Sequence, residues 1–357
     1  MASSLISRFK LLCIAMRPTF HPNLVNGSTG DPALFVDCLF ERRALLFDLG
    51  DIQTLPPRKL LRISHVFVSH AHMDHFIGFD WLLRILLGRQ KDLYLFGPPE
   101  FLEQVEHKLR AYTWNLVHNY LSDFTLRVTK VNGNGAGRCA SFRCHSAFRR
   151  EDEANLLCPD NVLLREPAMQ VRCTLLDHGG IPCLAYALEE QAHVNVWKNR
   201  LQELGLPVGA WLRDMKQAVL RNEPEQWQIR VAWREEDAQR ERLVSLGELK
   251  PALRIVPGQK IAYVTDVAWH QDNVAHIVEL ARDADLLYIE AAFMERDAEH
   301  GQRKFHLTAR QAGEIARAAH VGSVIPMHFS PRYMGEDVAL LRAEVEAAFG
   351  GASMTAF

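Results

Sequence analysis

The chain has 357 residues, 48% hydrophobic and 24% charged, which is typical of a folded globular protein and not of a disordered one. Its 41 Lys and Arg residues nearly balance its 43 Asp and Glu residues, and this excludes nucleic-acid binding driven by the net charge of the whole chain. The seven cysteines contain no C-x-x-C pair, which argues against a disulfide framework and indicates a reducing compartment. Because no apolar run approaches the ~20 residues of a membrane-spanning helix, we expect a cytoplasmic protein without membrane contact.

Hydrophobic patterning predicts alternating strands and helices in the first part of the chain. Strands are predicted at residues 44–47, 60–69 and 93–96, and helices at 76–87 and 100–112. Residues 131–170 are polar and predict a region rich in loops.

The same alternation continues in the second half of the chain. Strands are predicted at residues 171–176, 183–188, 260–265, 286–289 and 323–326, and helices at 273–281 and 308–319. Thr308 is expected to cap the last of these helices. The βα order predicts an α/β fold.

Residues 191–258 differ in composition from the rest, and we interpret them as an arm-like insertion within a single domain that spans residues 1–357. Four of the seven tryptophans lie there, and residues 195–245 hold nine Lys or Arg and eight Asp or Glu. This mixed charge is not that of a basic arm. The tryptophans either stack on nucleobases or pack the insertion against protein, and packing is the commoner role.

Five predicted strands end at residues that can bind a metal ion or transfer a proton. These residues are the cluster His70, His72, Asp74 and His75 after the strand at 60–69, and then His178, Asp266, Glu290 and His328. Since strand ends are where open α/β sheets place their ligand sites, we expect one site assembled from all five.

The cluster His70-Ala-His-Met-Asp-His75 is the most specific element of this pattern. His70 and His72 point in the same direction from an extended segment, so both can reach one ion. Asp74 and His75 lie past the turn and can reach a second ion. Imidazole and carboxylate groups suit Zn²⁺ or Mn²⁺, and two ions about 3.5–4 Å apart form the clamp used for displacement at phosphorus.

Structural roles are the alternatives for the isolated positions. Asp266 would instead cap a helix, and His178 or His328 would be core histidines. Cys139 and Cys144 are a weak zinc signal without a second pair, and we do not expect them to bind metal.

The motifs at these positions resemble those of the metallo-β-lactamase fold hydrolases and, within them, of the tRNase Z (ribonuclease Z) group. The resemblance extends from about residue 44 to residue 349. The matching motifs are His70-Ala-His-Met-Asp-His75, Asp177-His-Gly-Gly-Ile-Pro182, Tyr263-Val-Thr-Asp266, Glu290-Ala-Ala-Phe293, His306-Leu-Thr-Ala309 and His328-Phe-Ser-Pro-Arg-Tyr333. The last three are typical of the RNA-processing branch. The resemblance implies an αββα sandwich of two mixed sheets with outer helices.

The resemblance also implies a site for two divalent metal ions, with zinc as the first choice and manganese or iron as alternatives. The implied ligands are His70, His72 and His178 for one ion, Asp74, His75 and His328 for the other, and Asp266 as the bridge. Asp74 would also take the proton of the attacking water, and His306 paired with Glu290 would serve the leaving oxygen.

Two residues after the last ligand are candidates for binding the substrate phosphate. They are Ser330 and Arg332, the latter as a bidentate fork. The alternative for Arg332 is a structural salt bridge.

The expected activity is phosphodiester hydrolysis at the 3′ end of precursor tRNA, and the resemblance implies a homodimer. The chain departs from the family in its first Gly-rich motif, where it offers only Asn26-Gly-Ser-Thr-Gly30, and in lacking a recognisable Pro-x-Lys-x-Arg-Asn loop. These departures keep a second hypothesis open, a small-molecule phosphodiesterase or an ester or lactone hydrolase of the same fold. A non-enzymatic binding protein is disfavoured by the complete ligand set.

Overall fold

The computed structural model of the protein describes residues 19–39, 41–133, 135–235 and 238–350. It divides into two compact units. The larger unit contains His21–Glu189 and the chain from Lys260 onward, and the smaller contains Glu190–Gln259 with the described residues that precede His21. Every predicted metal ligand lies in the larger unit.

The first sheet has eight strands, and their order across the sheet is their order along the chain. Its central strands β3 to β6 are parallel, and the pairs β2–β3, β6–β7 and β7–β8 are antiparallel. The strands are β1 (Phe20–Leu24), β2 (Leu34–Cys38), β3 (Arg43–Phe47), β4 (Ile63–Phe67), β5 (Lys91–Gly97), β6 (Phe124–Val131), β7 (Ala136–Arg143) and β8 (Arg150–Leu157).

The second sheet has six strands in the order β18-β17-β16-β11-β10-β9. Strands β16 to β18 are parallel, whereas β11 pairs with β16 and β9 with β10 in antiparallel fashion. The strands are β9 (Val162–Arg165), β10 (Met169–His178), β11 (Ile181–Glu190), β16 (Lys260–Val264), β17 (Leu286–Glu290) and β18 (Ser323–Met327).

Helices pack against both sheets of the larger unit. They are α1 (Pro57–Leu60), α2 (Met73–Phe76), α3 (Phe79–Leu86), α4 (Phe101–Arg110), α8 (Gln271–Ala281), α9 (Ala298–Lys304), α10 (Ala309–Ala318) and α11 (Glu336–Phe349). Helix α3 shows why they form, because its buried residues Phe79, Leu82, Leu83 and Leu86 recur at helical spacing along one face. Thr308 caps α10 in a capping box, as predicted. None of the helices in the described ranges combines the length and apolarity needed to cross a bilayer.

The two sheets face each other across a layer of aromatic side chains. Phe47 and Phe67 of the first sheet lie with ring centroids 5.8 and 5.6 Å from that of Tyr186 in the second. The Tyr186 hydroxyl is buried and donates a hydrogen bond of 2.6 Å to the Val68 carbonyl. Aromatic packing with a satisfied polar tip holds the two layers together. The α/β fold of two mixed sheets with outer helices is therefore confirmed.

The prediction of loops at residues 131–170 was wrong, because this segment contains β7, β8, β9 and the start of β10. Its polar residues lie on the exposed face of the first sheet, where they pair across strands. Arg138 contacts Asp152 at 3.3 Å, and Arg143 contacts Asp123 at 2.6 Å. A strand with one solvated face contributes few apolar residues, so its sequence resembles that of a loop.

The helix predicted at residues 76–87 is divided into α2 and α3 around Gly78. The Gly78 amide donates to the Leu49 carbonyl at 2.8 Å, so the loop after β3 lies directly against it. This contact fixes α2, which carries Asp74 and His75, against the first sheet.

Replacing Gly78 with Ala is expected to destabilise the protein by roughly 2 kcal/mol or more. A Cβ at this position would overlap the Gly50 carbonyl oxygen and lie 3.0 Å from Ile52 Cγ1. Urea unfolding measures the effect, and Gly247→Ala is a useful control because its φ is not positive and a Cβ there would lie 3.3 Å or more from other atoms. A Gly78→Ala protein as stable as the control would show that the loop after β3 can move away.

The smaller unit has its own core and secondary structure. Strand β12 (His193–Val196) pairs with β15 (Leu253–Val256), and β13 (Gln228–Glu235) forms a hairpin with β14 (Ala238–Ser245). The helices are α5 (Lys198–Glu203), α6 (Trp211–Leu220) and α7 (Leu246–Leu249). The insertion of residues 191–258 as an arm within a single domain stays a prediction.

The tryptophans of this unit divide between its core and its surface. Trp211 is buried in a cluster with Leu201, Met215 and Val231, and its indole N–H donates to the Pro207 carbonyl at 3.0 Å. Trp197 and Trp227 are exposed. Packing, the commoner of the two expected roles, therefore describes Trp211.

Candidate metal centre

The His70–His75 cluster lies between β4 and α2, where the chain leaves the first sheet. His70 is buried, and its ring centroid lies 4.4 Å from that of His72 and 4.2 Å from that of His75. His75 lies in α2, and its carbonyl accepts a hydrogen bond from the Leu49 amide at 2.8 Å. The turn from β4 into this short helix thus places three imidazoles side by side.

His178 is the last residue of β10 and reaches the site from the second sheet. Gly179 and Gly180 follow it with φ values of 65° and 90°, a tight turn that side-chain-bearing residues rarely adopt. The His178 Nδ1 makes a hydrogen bond of 2.9 Å with the Phe305 carbonyl, so this nitrogen is the donor and Nε2 is free to bind a metal. Its ring centroid lies 5.5 Å from that of His70 and 5.4 Å from that of His72.

The parallel strands β16, β17 and β18 supply the remaining predicted residues. Asp266 follows β16, Glu290 ends β17, and His328 follows β18, so all three lie at the same edge of the sheet. His328 has a φ of 56°, a left-handed conformation that is strained for this residue type and common at functional sites.

These side chains form three overlapping groups whose candidate ligand atoms lie within 4.8 Å of one another. The groups are His70, His72, His178 and Asp266; Asp74, His75 and His328; and Asp266, Glu290, His306 and His328. Asp266 Oδ2 lies 3.7 Å from Nε2 of both His70 and His178, whereas Oδ1 lies 3.4 Å from His75 Nε2. Its two oxygens thus face the two ligand sets.

Buried nitrogens without partners indicate that the site fits metal ions. Within the described ranges, no hydrogen-bond partner is available for Nε2 of His70 or of His75, although both atoms are buried. A buried polar atom left in this way costs free energy, which a metal ion at that position would recover. Burial also lowers the pKa of His70 to about 2, which favours the neutral imidazole that metals require.

The second ligand set has the opposite electrostatic character. Burial alone would lower the pKa of His75 and His328, but the adjacent carboxylates, above all Asp266, outweigh burial and raise both pKa values well above the ordinary range. Burial would raise the pKa of Asp74, but His328 and His75, whose Nε2 atoms lie 3.2 and 3.4 Å from its carboxylate, lower that pKa instead. The charge of divalent ions would take the place of these protons.

Asp48 contributes to the site, although it is not among the site residues predicted from the sequence. It is fully buried with a φ of 57° and accepts hydrogen bonds from the Ser69 amide at 2.6 Å and the Tyr263 hydroxyl at 2.8 Å. It also contacts His75 Nδ1 at 2.9 Å, which turns His75 Nε2 towards Asp266. An acidic residue directly after a buried strand was the signal that would have revealed it.

Glu290 and His306 form the predicted pair beside the ligands. His306 Nδ1 lies 2.8 Å from Glu290 Oε2, and Glu290 also accepts from the amides of Val267 and Leu307 at 2.8 and 3.2 Å. Burial would lower the pKa of His306, but the Glu290 carboxylate outweighs it and raises that pKa. A raised pKa suits a histidine that donates a proton.

The two candidate phosphate-binding residues lie on the loop after His328. The Ser330 amide donates to the Ala292 carbonyl at 3.1 Å. Arg332 contacts Asp297 at 3.7 Å, and its guanidinium carbon lies 5.9 Å from the centroid of the Phe293 ring. The structural salt bridge that was the alternative for Arg332 is thus formed, and phosphate binding by either residue stays a prediction.

Comparison with known proteins gives the family of this chain. Residues 33–149 and 237–329 match the model of the beta-lactamase superfamily domain. The chain is 30% identical over 336 residues to the ribonuclease Z of Deinococcus radiodurans, covering 91% of this chain and 94% of that protein. It is 29% identical over 319 residues to the ribonuclease Z of Treponema pallidum, covering 87% and 84%.

Solved structures agree on the fold. The metallo-beta-lactamase fold protein YhfI from Bacillus subtilis superposes with a TM-score of 0.51 at 15% identity, covering 92% of each chain. The short form of human tRNase Z superposes with a TM-score of 0.51 at 19% identity, covering 88% of this chain and 93% of that one. This chain is therefore a member of the beta-lactamase superfamily and, within it, of the ribonuclease Z family.

Proposed function

We propose that this protein is a metal-dependent endoribonuclease that cleaves precursor tRNA at its 3′ end. The observation that carries the proposal is the Glu290–His306 pair beside the two ligand sets, because it adds a proton donor to a metal centre. Relatives that it matches over most of its length are named ribonuclease Z.

The residues divide the reaction between them. Two divalent ions, when bound, would act as Lewis acids on the phosphate and lower the pKa of the attacking water. Asp74, whose side chain is 42% exposed, would accept a proton from that water while the water oxygen bonds to phosphorus. The bond from phosphorus to the 3′ oxygen breaks, and His306 donates a proton to that oxygen while Glu290 stabilises the imidazolium.

The ligand assignment that we propose is the one implied by the resemblance. One ion would be held by His70, His72 and His178 and the other by Asp74, His75 and His328, and Asp266 would contribute to both ligand sets. The assignment is supported by the close approach of these side chains and by the two oxygens of Asp266, which face different ligand sets. Zinc is the proposed metal because imidazole predominates among the ligands.

The assembly and the place of action are also proposals. We propose a homodimer that acts in the cytoplasm. The six cysteines of the described ranges are free thiols, which supports a reducing compartment.

The proposal is tested with a 3′-extended precursor tRNA, supplied zinc or manganese, and a His70→Ala control. We expect cleavage next to the discriminator nucleotide by the wild-type protein and none by the variant. A metal-loaded wild-type protein that leaves this RNA intact would contradict the proposed substrate.

One observation favours the second candidate, a small-molecule phosphodiesterase or ester hydrolase. Two arginines of the β13–β14 hairpin are paired with acids, since Arg230 contacts Glu241 and Arg242 lies 3.5 Å from Glu248. Phosphate neutralisation dominates RNA affinity, and paired cations contribute less to it. Turnover of a chromogenic phosphodiester or an ester without tRNA cleavage would support this candidate.

Replacing His306 with Ala is expected to lower kcat on RNA by about 10²–10⁴-fold and to lower it far less on bis(p-nitrophenyl) phosphate. The 3′ oxygen of RNA needs a proton to leave, whereas p-nitrophenolate leaves without one. Turnover of both substrates measures the difference, with His276→Ala as a control at an exposed histidine of α8. Equal losses on both substrates would mean that His306 acts as a metal ligand and not as a proton donor.

A further inference from the structure

Phe305 occupies an unusual position directly before His306. It ends α9 with a φ of 60°, in the left-handed region, and 45% of its surface is exposed. The His306 amide donates to the Gly301 carbonyl at 3.0 Å, so the chain turns sharply here. Glycine or asparagine normally fills such a position, because a side chain there is strained.

The backbone of Phe305 accounts for the turn but not for the aromatic ring. Its carbonyl accepts the hydrogen bond from His178 Nδ1 at 2.9 Å, and glycine would supply the same carbonyl without strain. The fold thus retains a large exposed apolar ring at a strained residue. Strain of this kind gathers where a side chain is needed for function.

The ring is held in place beside the site. It lies against Gly179, where a Cβ would overlap the ring atoms. Its centroid is 6.5 Å from that of His178, with the two rings at 82°. An aromatic ring is therefore supported by the glycine turn on one side and exposed beyond it, next to a predicted metal ligand and the predicted proton donor.

We propose that Phe305 is a specificity-determining residue whose ring stacks on an unpaired nucleobase flanking the scissile phosphate. This inference rests on the proposed ribonuclease function. Stacking recognises every base by its flat face and needs little positive charge, which suits a chain of nearly neutral net charge. Arg303 and Lys304, exposed in the last turn of α9, provide local positive charge for the RNA backbone and so favour a nucleotide over a purely apolar ligand.

The test uses three forms of the metal-loaded full-length protein beside the wild type. Phe305→Gly removes the ring while relaxing the backbone, and Phe305→Tyr keeps a ring. Tyr112→Ala is the control, because it removes an exposed aromatic ring that follows α4 and packs against Trp114, with ring centroids 5.8 Å apart. The substrates are a 3′-extended precursor tRNA and two versions of it that lack the base on one or the other side of the cleavage site.

With the unmodified RNA, Phe305→Gly is expected to raise KM about tenfold, with little change in kcat and an unchanged metal content. Phe305→Tyr and Tyr112→Ala should behave as the wild type. On one of the two abasic substrates, the KM of the wild type should rise about tenfold above its value for the unmodified RNA. The KM of Phe305→Gly should be the same for that substrate as for the unmodified RNA. That substrate identifies which base is stacked.

Other results overturn the inference. If Phe305→Gly raised KM by the same factor over the wild type on all three substrates, residue 305 would act only through His178. If Phe305→Gly matched the wild type on all three substrates, the ring would be unused. A wild-type protein that fails to cleave the unmodified RNA would overturn the proposed function and this inference together, which distinguishes that failure from the other two.

Discussion

Replacement of Asp74 by Ala is expected to lower kcat on a phosphodiester on the order of 10³-fold or more while leaving the fold intact. The carboxylate contacts both His75 and His328, at 3.4 and 3.2 Å, so its loss removes a ligand and a proton acceptor at once. Its side chain is 42% exposed, so its removal leaves no cavity in the core and should not unfold the protein. Steady-state kinetics and metal analysis of the purified variant measure the effect.

The control for this experiment is Asp80→Ala in the following helix. Asp80 forms a part-exposed pair with Lys108 at 2.8 Å, so its loss should change neither turnover nor metal content. Unchanged turnover of the Asp74 variant would refute the assigned chemistry. Lost turnover together with an unfolded circular dichroism spectrum would instead reveal a structural role.

Replacement of Asp48 by Ala is expected to lower the free energy of unfolding by about 3–5 kcal/mol and to weaken metal binding. The carboxylate is buried completely and holds the Ser69 amide, the Tyr263 hydroxyl and His75 Nδ1. Its removal leaves these donors buried without an acceptor, and His75 loses the contact that orients Nε2. Urea unfolding of the metal-free protein and metal titration measure the two effects separately.

Asp37→Ala is the matched control for Asp48. Asp37 lies on the neighbouring strand β2 and forms a part-exposed pair with Arg62 at 2.6 Å, worth about 1 kcal/mol or less. If Asp48→Ala were no more destabilising than this control, the buried hydrogen-bond network would have an alternative acceptor. Normal stability with weak metal binding would mean that Asp48 orients His75 without supporting the core.

Apolar patterning predicted most elements of the fold. The strands that became β3, β16 and β17 were recognised because they are buried on both faces and form continuous apolar runs. Strands β7 and β8 were missed because their exposed faces carry paired charges. The break between α2 and α3 was missed because it depends on the contact of Gly78 with the Leu49 carbonyl, which lies far away along the chain.

The amino-acid sequence by itself determined the types of the candidate site residues and their places at strand ends, since ligand chemistry and chain direction are both local properties. Only the tertiary structure decided which atoms meet. The two oxygens of Asp266 face different histidines. Asp48, which follows β3, contacts His75 of α2, and the Phe305 carbonyl accepts the hydrogen bond from His178 Nδ1 and so leaves Nε2 for a metal. These contacts join residues far apart in the chain, and the packing of the two sheets, which no local pattern encodes, brings them together.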